Sequence, residues 1–426
     1  MRGLRFCMVT TFYPPFNFGG DGIAIQRLSR ALARRGHRVV VVHDVDAYNA
    51  LRAGPEPAIE PEPDGIEVVG LRSGLGALSP FLTHQLGRPV VNSARIASVL
   101  DGGAFDVTIF NNISLVGGPG IIARGGGIKL YEAHEHWLVC PTHVLWRHDR
   151  EPCTGRQCLR CMAHYHRPPQ LWRYTGMLER YLREVDAFIA KSEFSREKHR
   201  EFGFDHPMHV IPYFLPNGAE PSSVAAPGAS APGERPHARP YFLYVGRLER
   251  IKGLDDVIPA VARYPDADLL IAGDGTHGDA LRALAGDTPN VRFLGRLSPS
   301  VLRSYYEHAL ALIVPSIGFE TFGIIVIESL REGTPVIARR VGPFPELVTA
   351  SRGGLLFTQM DELIAHMRSI QTRPQLRAEL GQSGREAFLR MWTEDAVVPR
   401  YLELIREVAE RKGLTKVVDQ IMESAA

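Results

Sequence analysis

Residues 241–275 read YFLYVGRLERIKGLDDVIPAVARYPDADLLIAGDG. Residues 241–245 and 268–272 are apolar runs of strand length, and residues 254–263 between them fit a helix. Strand, helix, strand in that order argues for a parallel sheet with its crossover helix packed on one face. Working outward, the alternation continues. It predicts strands over 291–294, 311–315 and 335–338, and helices over 277–285, 298–308 and 323–332. The expected fold class is α/β, with a doubly wound parallel sheet in this half.

The first half repeats the pattern. An apolar run over 4–10 leads into the glycine-rich loop FNFGGDG at 16–22. Ile25, Leu28 and Leu32 follow at helical spacing, Gly36 closes that helix, and 38–42 is the next strand. A right-handed crossover makes the two strands parallel. Further strands are predicted over 66–70, 107–110, 128–132, 185–191 and 208–212. Residues 215–240 are rich in Pro, Ala, Gly and Ser and nearly free of large apolar groups, so they are expected to be a linker. Residues 393–422 read as helix, with Tyr401, Leu402, Ile405 and Val408 on an apolar face. The expected organisation is a first domain over 1–214, a linker over 215–240, a second domain over 241–392 and a closing helix over 393–426.

Composition narrows the function. The 426 residues are 45% hydrophobic and 23% charged, enough for two domains with a core in each. A net charge of +2 gives no reason to expect nucleic acid as a partner. No stretch approaches the roughly 18 apolar residues of a spanning helix. The opening MRGLRFCMVTTFYPP lacks a small-residue cleavage site. The expectation is a cytoplasmic protein, with peripheral contact at the inner face of the membrane left open.

In open α/β sheets ligands bind beyond the carboxyl ends of the strands. Arg247 falls at the end of the 241–245 strand, just after Gly246, and Lys252 lies in the turn before the next helix. Two cations beside a helix N-terminus suit a diphosphate; the bland alternative is a pair of solvated charges. After 268–272 comes Gly273-Asp274-Gly275, which permits close approach of backbone to a ligand, or is a plain turn. After 311–315 comes SIGFETFGIIVIESLREGTPVIA. Glu320 precedes Gly323 at a helix start, and Glu328 sits among Ile324, Ile325, Val326, Ile327 and Leu330. A carboxylate in so apolar a helix needs a partner, and ribose hydroxyls would serve. Glu320 could accept bonds from sugar hydroxyls, and the amides of Phe322, Gly323 and Ile324 would face a phosphate.

With these segments in order, the chain resembles the retaining glycosyltransferases of family four. The carrying residues are Gly246-Arg247-Leu248 with Lys252-Gly253, Gly273-Asp274-Gly275, Pro315-Ser316, Phe319-Glu320-Thr321-Phe322-Gly323, Glu328 and Gly333-Thr334-Pro335-Val336. Lys191-Ser192-Glu193-Phe194, Val210-Ile211-Pro212, Trp392 and Tyr401-Leu402 extend the resemblance. It implies the GT-B fold, two facing Rossmann-like domains with a cleft between them, the closing helix returning to the first domain. It implies further that Arg247 and Lys252 hold the donor diphosphate, Glu328 the ribose and Glu320 the donor sugar. Gly19 and Gly20 would bring amides to the diphosphate from the opposite domain. Fixed cations stabilise the leaving diphosphate, so no metal is then required for catalysis.

On the acceptor side, Tyr131-Glu132-Ala133-His134-Glu135-His136-Trp137 follows a predicted strand. The resemblance makes His134 a catalytic-site residue; the alternative is a hydrogen-bonded histidine at a strand end. Glu135 and His136 depart from the family pattern of Asp and an aromatic residue. Front-face attack, with the leaving phosphate oxygen taking the acceptor's proton, is the mechanism the resemblance implies.

Within an insertion over about 138–168, Cys140, Cys153, Cys158 and Cys161 are separated by twelve, four and two residues. Cys158-x-x-Cys161 is a zinc half-site, so these four are candidate ligands for a structural zinc, with His143, His148, His164 and His166 as alternatives. Free thiols are the competing expectation. The function expected is transfer of a sugar from a nucleoside-diphosphate sugar, a uridine one favoured, to a hydroxyl of a small-molecule, lipid-linked or polysaccharide acceptor. The setting suggested is cell-surface glycan or natural-product glycosylation. A sugar-nucleotide epimerase and a catalytically inactive sugar-nucleotide-binding subunit are the alternatives. A nicotinamide dehydrogenase fails because no G-x-G-x-x-G follows the first strand.

Overall fold

Parallel strands covered on both faces by helices carry near-continuous apolar runs, and the inner strands of this chain do so. In the computed structural model, which describes residues 3–52, 54–217 and 235–425, the first half forms β1 (Arg5–Val9), β2 (Arg38–Asp44), β3 (Ile66–Leu71), β4 (Val107–Phe110) and β5 (Ile128–Ala133). A two-stranded antiparallel hairpin, β6 (Trp146–Arg147) and β7 (Glu151–Pro152), lies in the cysteine-rich insertion. Strands β8 (Ala187–Ala190) and β9 (Met208–Val210) complete the first sheet. Its order is β3-β2-β1-β4-β5-β8-β9, and every residue of β4, β5 and β8 is buried.

The second half forms β10 (Tyr241–Val245), β11 (Asp268–Ala272), β12 (Val291–Gly295), β13 (Leu312–Val314), β14 (Val336–Arg339) and β15 (Gly354–Phe357), in the order β12-β11-β10-β13-β14-β15. All pairings in both large sheets are parallel. The winding reverses between β1 and β4 in one sheet and between β10 and β13 in the other. These switch points are where an open sheet offers a crevice to a ligand. At the first, the loops leaving β1 and β4 are joined by a bond from the Thr11 amide to the Asn112 carbonyl, 2.5 Å.

Several elements were not expected. Strand β15 is short and opens on glycine. Helices Val45–Leu51, Leu78–Leu86 and Ser93–Leu100 fill the stretch after β2. The helix expected over 393–422 breaks at Gly413, whose φ of 67° stops Glu394–Lys412 before Thr415–Ala425 begins. Of the segment expected as a linker, residues 218–234 lie outside the described residues.

The helix Glu394–Lys412 belongs in space to the first sheet. Val397, Tyr401, Leu404 and Ile405 share a core with Leu28, Leu32 and Ile189. The chain passes between the halves at adjacent points, where Leu215 pairs with Thr393 and its amide donates to the Trp392 carbonyl at 3.0 Å. A buried polar cluster locks the returning helix. The Lys191 ammonium bonds the Glu132 carboxylate and donates to the Tyr401 hydroxyl at 2.8 Å. Tyr401 in turn donates to Glu132 at 2.6 Å.

Candidate active site

Three glycines bring backbone together at the tips of the second sheet. Gly246, Gly273 and Gly323 have φ of 154°, 142° and 109°. A Cβ on Gly273 would stand 1.9 Å from the Gly246 carbonyl oxygen, and one on Gly323 would stand 2.7 Å from the Phe344 ring. A side chain at Gly273 therefore pushes apart the loops that carry Arg247 and Asp274. Gly273→Ala is expected to cost about 1–3 kcal/mol of backbone strain, seen as a lower melting temperature together with weaker donor binding. A variant that melts and binds like the wild type would remove this role.

Lys252 ends a short 3-10 turn, Arg250–Lys252, and its ammonium bonds the Glu320 carboxylate from the loop after β13. Ser316 Oγ donates to the same carboxylate oxygen at 3.1 Å. Burial would raise the Glu320 pKa, but Lys252, Ser316 and then Arg247 outweigh it, so the group is held below its ordinary value. The Arg247 side chain is 59% exposed at the mouth and is close enough to Glu320 to act on its charge. Arg247, Lys252 and Glu320 thus lie together at the switch point between β10 and β13.

Glu328, on helix Ile324–Arg331, finds the partners that its apolar setting requires. Tyr306 donates to it at 3.1 Å, and the Arg27 guanidinium from the first half lies 3.7 Å away. Neither partner was foreseen. Phe322 is buried against Tyr213 of the first half, with ring centroids 5.5 Å apart. Glu320 lies on the loop, and Glu328 on the helix, that Gly323 joins.

Across the cleft, the helix Gly20–Arg34 begins opposite the start of Ile324–Arg331. A Cβ on Gly20 would lie 3.2 Å from Ile324 Cδ1. Two helix N-termini, each the positive end of its dipole, therefore approach one another with Gly19 and Gly20 on one side and Gly323 and Ile324 on the other. Other bonds clasp the two halves. Thr321 Oγ1 donates to the His134 carbonyl at 2.8 Å, and Ser192 Oγ donates to the Thr321 carbonyl at 2.6 Å. Glu346 accepts the amides of Glu193 and Phe194, each at 3.1 Å, and so caps a helix of the opposite half.

His134 directly follows β5 and is buried. Its Nδ1 lies 2.7 Å from the Tyr213 hydroxyl and its Nε2 2.9 Å from Asn111 Oδ1. The amide oxygen of Asn111 only accepts, so Nε2 carries the hydrogen and Nδ1 accepts from Tyr213. Burial depresses the imidazole pKa to about 3. With both nitrogens engaged and the ring neutral, this geometry suits positioning the β5 loop better than moving protons. Asp21, which the sequence did not single out, and Glu135, which departs from the family pattern, lie near this point. Asp21 lies 3.5 Å from Asn112 Nδ2, and burial together with the charge of Glu135 raises its pKa. Glu135 itself pairs with His143 Nδ1 at 2.6 Å. The signal for Asp21 was available, since it directly follows the glycine pair.

The four cysteines considered for a structural zinc are not gathered as a ligand set. Among the described residues no group of three or more His, Cys, Asp or Glu side chains is gathered to hold a metal. Cys140, Cys153, Cys158 and Cys161 are free thiols. Three of the sulfurs are spent locally: Cys140 on Thr142 at 3.2 Å, Cys153 on the Gly155 carbonyl at 3.3 Å, and Cys161 on the His148 amide at 3.5 Å. Burial raises the pKa of Cys153, Cys158 and Cys161, and neighbouring cysteines, Cys140 among them, raise it further.

Known proteins match both halves. Residues 19–213 match the family described as glycosyl transferase 4-like domain, and residues 229–387 match glycosyl transferases group 1. The chain is 28% identical over 421 residues to a glycogen synthase of Mycobacterium tuberculosis, covering 90% of each chain. It is 26% identical to the alpha-maltose-1-phosphate synthase of Mycolicibacterium smegmatis, covering 95% of this chain and 100% of that one. Among solved structures, sucrose-phosphate synthase from Thermosynechococcus elongatus superposes with a TM-score of 0.70 at 20% identity, over 96% of this chain and all of that one. Anabaena HepE in complex with UDP-glucose gives 0.65 at 15%, over 95% of this chain and all of that one. No helix among the described residues is long and apolar enough to cross a membrane.

Proposed function

Because the chain belongs to the family-four glycosyltransferases, retaining enzymes of the two-domain GT-B fold that use sugar nucleotides in glycan biosynthesis, we propose that it moves a sugar from a uridine diphosphate sugar to a hydroxyl acceptor at the cleft between residues 1–214 and 241–392. Lys252 and Arg247 neutralise the leaving diphosphate, and the amides of Gly19, Gly20, Gly323 and Ile324 contribute from the two facing helix ends. Glu320 accepts hydroxyls of the donor sugar, and Glu328 those of the ribose. Gly246 and Gly273 let the backbone approach the nucleotide, and Phe322 shapes the loop between the two glutamates. The carrying observation is the Lys252–Glu320 pair at the β10/β13 switch point, with the two helix N-termini opposed across the cleft.

Retention requires the incoming oxygen on the face the phosphate leaves. The acceptor's proton goes to the departing phosphate oxygen, and Arg247 and Lys252 take up the charge that builds there. His134 orients the β5 loop through Asn111 and Tyr213. With protein cations serving the leaving group, turnover is expected to persist in excess EDTA; its loss, restored by a divalent ion, would overturn the metal-free assignment.

The deciding experiment is a thermal-shift screen of sugar nucleotides, followed by acceptor-dependent donor consumption. A donor at 100 times its dissociation constant should add about 2.7 kcal/mol. If no uridine or guanosine nucleotide stabilises the protein, the donor site is wrong. Donor consumption without acceptor would point to an epimerase. Glu328→Gln is expected to weaken donor binding by about 1.5–3 kcal/mol, roughly ten- to a hundredfold in dissociation constant, with kcat little changed. Calorimetric titration with the nucleotide checks this, and unchanged affinity would remove Glu328 from the ribose site.

A further inference from the structure

A cavity of 560 Å³ opens beside the cysteine-rich insertion, away from the donor crevice. Arg156, Arg160 and Arg173 line it together with Leu138, Tyr174 and Leu178. Glu179 is the one acidic residue on its wall, so three guanidiniums face a single carboxylate. Arg173 is fixed in place. Its guanidinium carbon lies 4.8 Å from the ring centres of both Trp137 and Trp172. Nε donates to Gln170 at 2.5 Å and Nη2 to the Trp137 carbonyl at 2.9 Å. These partners are neutral, and among the described residues no carboxylate pairs with Arg173. Burial pulls its pKa down to about 10, as expected for a cation lacking a counter-charge. Arg156 is likewise bonded to a neutral group, the Phe202 carbonyl.

A clamped guanidinium with N–H groups to spare, backed by two more, is built for an oxyanion that accepts two parallel bonds. Leu138, Val139, Pro141, Leu159 and Leu178 give the wall an apolar share, and Leu159 and Tyr174 stand 52% and 61% exposed. The ligand therefore joins an anionic head to a bulkier, less polar body. Position ties the cavity to the reaction. The carbonyl that holds Arg173 belongs to Trp137, three residues beyond His134, whose own carbonyl binds Thr321 of the opposite half.

We propose that this cavity binds a phosphate group carried by the acceptor, with Arg173 as anchor and Arg156 and Arg160 as the outer cations. The assignment to the acceptor rests on the transferase reading above; the anion site itself does not. The phosphate could belong to a soluble phosphorylated acceptor or to a lipid headgroup, and two arms separate these sources.

The test uses the full chain carrying Arg247→Ala and Lys252→Ala, so that the donor crevice cannot capture phosphate. In the first arm inorganic pyrophosphate is titrated by calorimetry. In the second, the protein is sedimented with phosphatidylcholine vesicles, with and without phosphatidylglycerol. Saturable pyrophosphate binding, weakened about tenfold or more by adding Arg156→Ala and Arg160→Ala, supports the site and a soluble source. Co-sedimentation only with phosphatidylglycerol, lost in the same variant, supports the site and a lipid source. Both substitutions are at exposed positions, so folding is not at stake. Absence of binding in both arms, or binding that the two substitutions leave unchanged, overturns the proposal. Stabilisation of the otherwise wild-type protein by uridine diphosphate is measured separately. Its failure would sink the donor assignment while leaving the anion site standing.

Discussion

Lys252→Ala is expected to lower kcat for sugar transfer by about a hundred- to a thousandfold, the range seen when one fixed charge-stabilising donor is removed. Two effects add. The departing diphosphate loses its least mobile cation, since Lys252 is partly buried and bonded while Arg247 is largely exposed. Glu320 also loses the partner whose charge offsets its burial. That second effect has a signature in pH. In the wild type Glu320 stays ionised to below its ordinary pKa of 4.5, so its acid limb lies below that pH. Without Lys252 the burial that raises its pKa is opposed only by Ser316 and Arg247, and the limb moves upward. The variant should lose activity at a higher pH than the wild type, and Lys252→Arg should recover part of both. A Lys252→Ala enzyme within twofold of wild type, with an unmoved acid limb, would take Lys252 out of the site. Arg247→Ala should slow turnover less, because its exposed charge is screened by solvent.

Glu132→Ala should produce the largest loss of stability, about 3–5 kcal/mol, typical of breaking a buried ion pair from one side. Lys191 is then left with the Tyr401 hydroxyl and the distant Ile211 carbonyl. It must either carry an unpaired charge in the core or surrender its proton, and burial already presses it toward the second course. Because Tyr401 lies on the returning helix, the loss should appear first in the half that contains β1 to β9. Urea unfolding followed by fluorescence from both halves checks this; a multidomain chain need not be two-state, so the earlier transition is the quantity to compare. Replacing Glu132 and Lys191 together by Met should recover much of the loss, since a buried pair exchanged for apolar side chains of similar size is often neutral. A single variant as stable as the wild type would show the cluster to be energetically idle.

The strands of both sheets were legible because a strand covered on both faces needs apolar residues without interruption. β10 and β11 fall where 241–245 and 268–272 place them. β15 was not, since Gly354 gives it no side chain at its start and only four residues pair. Helix Leu78–Leu86 misleads by inverting the usual pattern: Ser79 and Thr83 are buried while Leu78 and Phe81 face outward. At the site, residue types could be read but partners could not. Glu320 and Lys252 are 68 residues apart, and nothing local announces that they meet. Arg27 reads as the polar side of an N-terminal helix, yet it reaches Glu328 of the other half. The two hydrogen-bond neighbours of the His134 ring, Asn111 and Tyr213, lie 23 and 79 residues away, so motif matching alone could not foresee them. The cysteine spacing reads as a zinc half-site, but spacing alone does not fix how four sulfurs are arranged in space.

The adjacent crossings at Leu215 and Trp392–Thr393 act as an axle with two parallel pins. A body tethered at one point can spin freely; one tethered by two neighbouring segments keeps chiefly a swing. The contacts at Thr321, Ser192, Glu346 and Arg27 also join the two halves, so a swing of one half away from the other has to release them. Severing the tail at Thr393 would remove one pin and strip an apolar covering from Leu28 and Leu32 in the same cut.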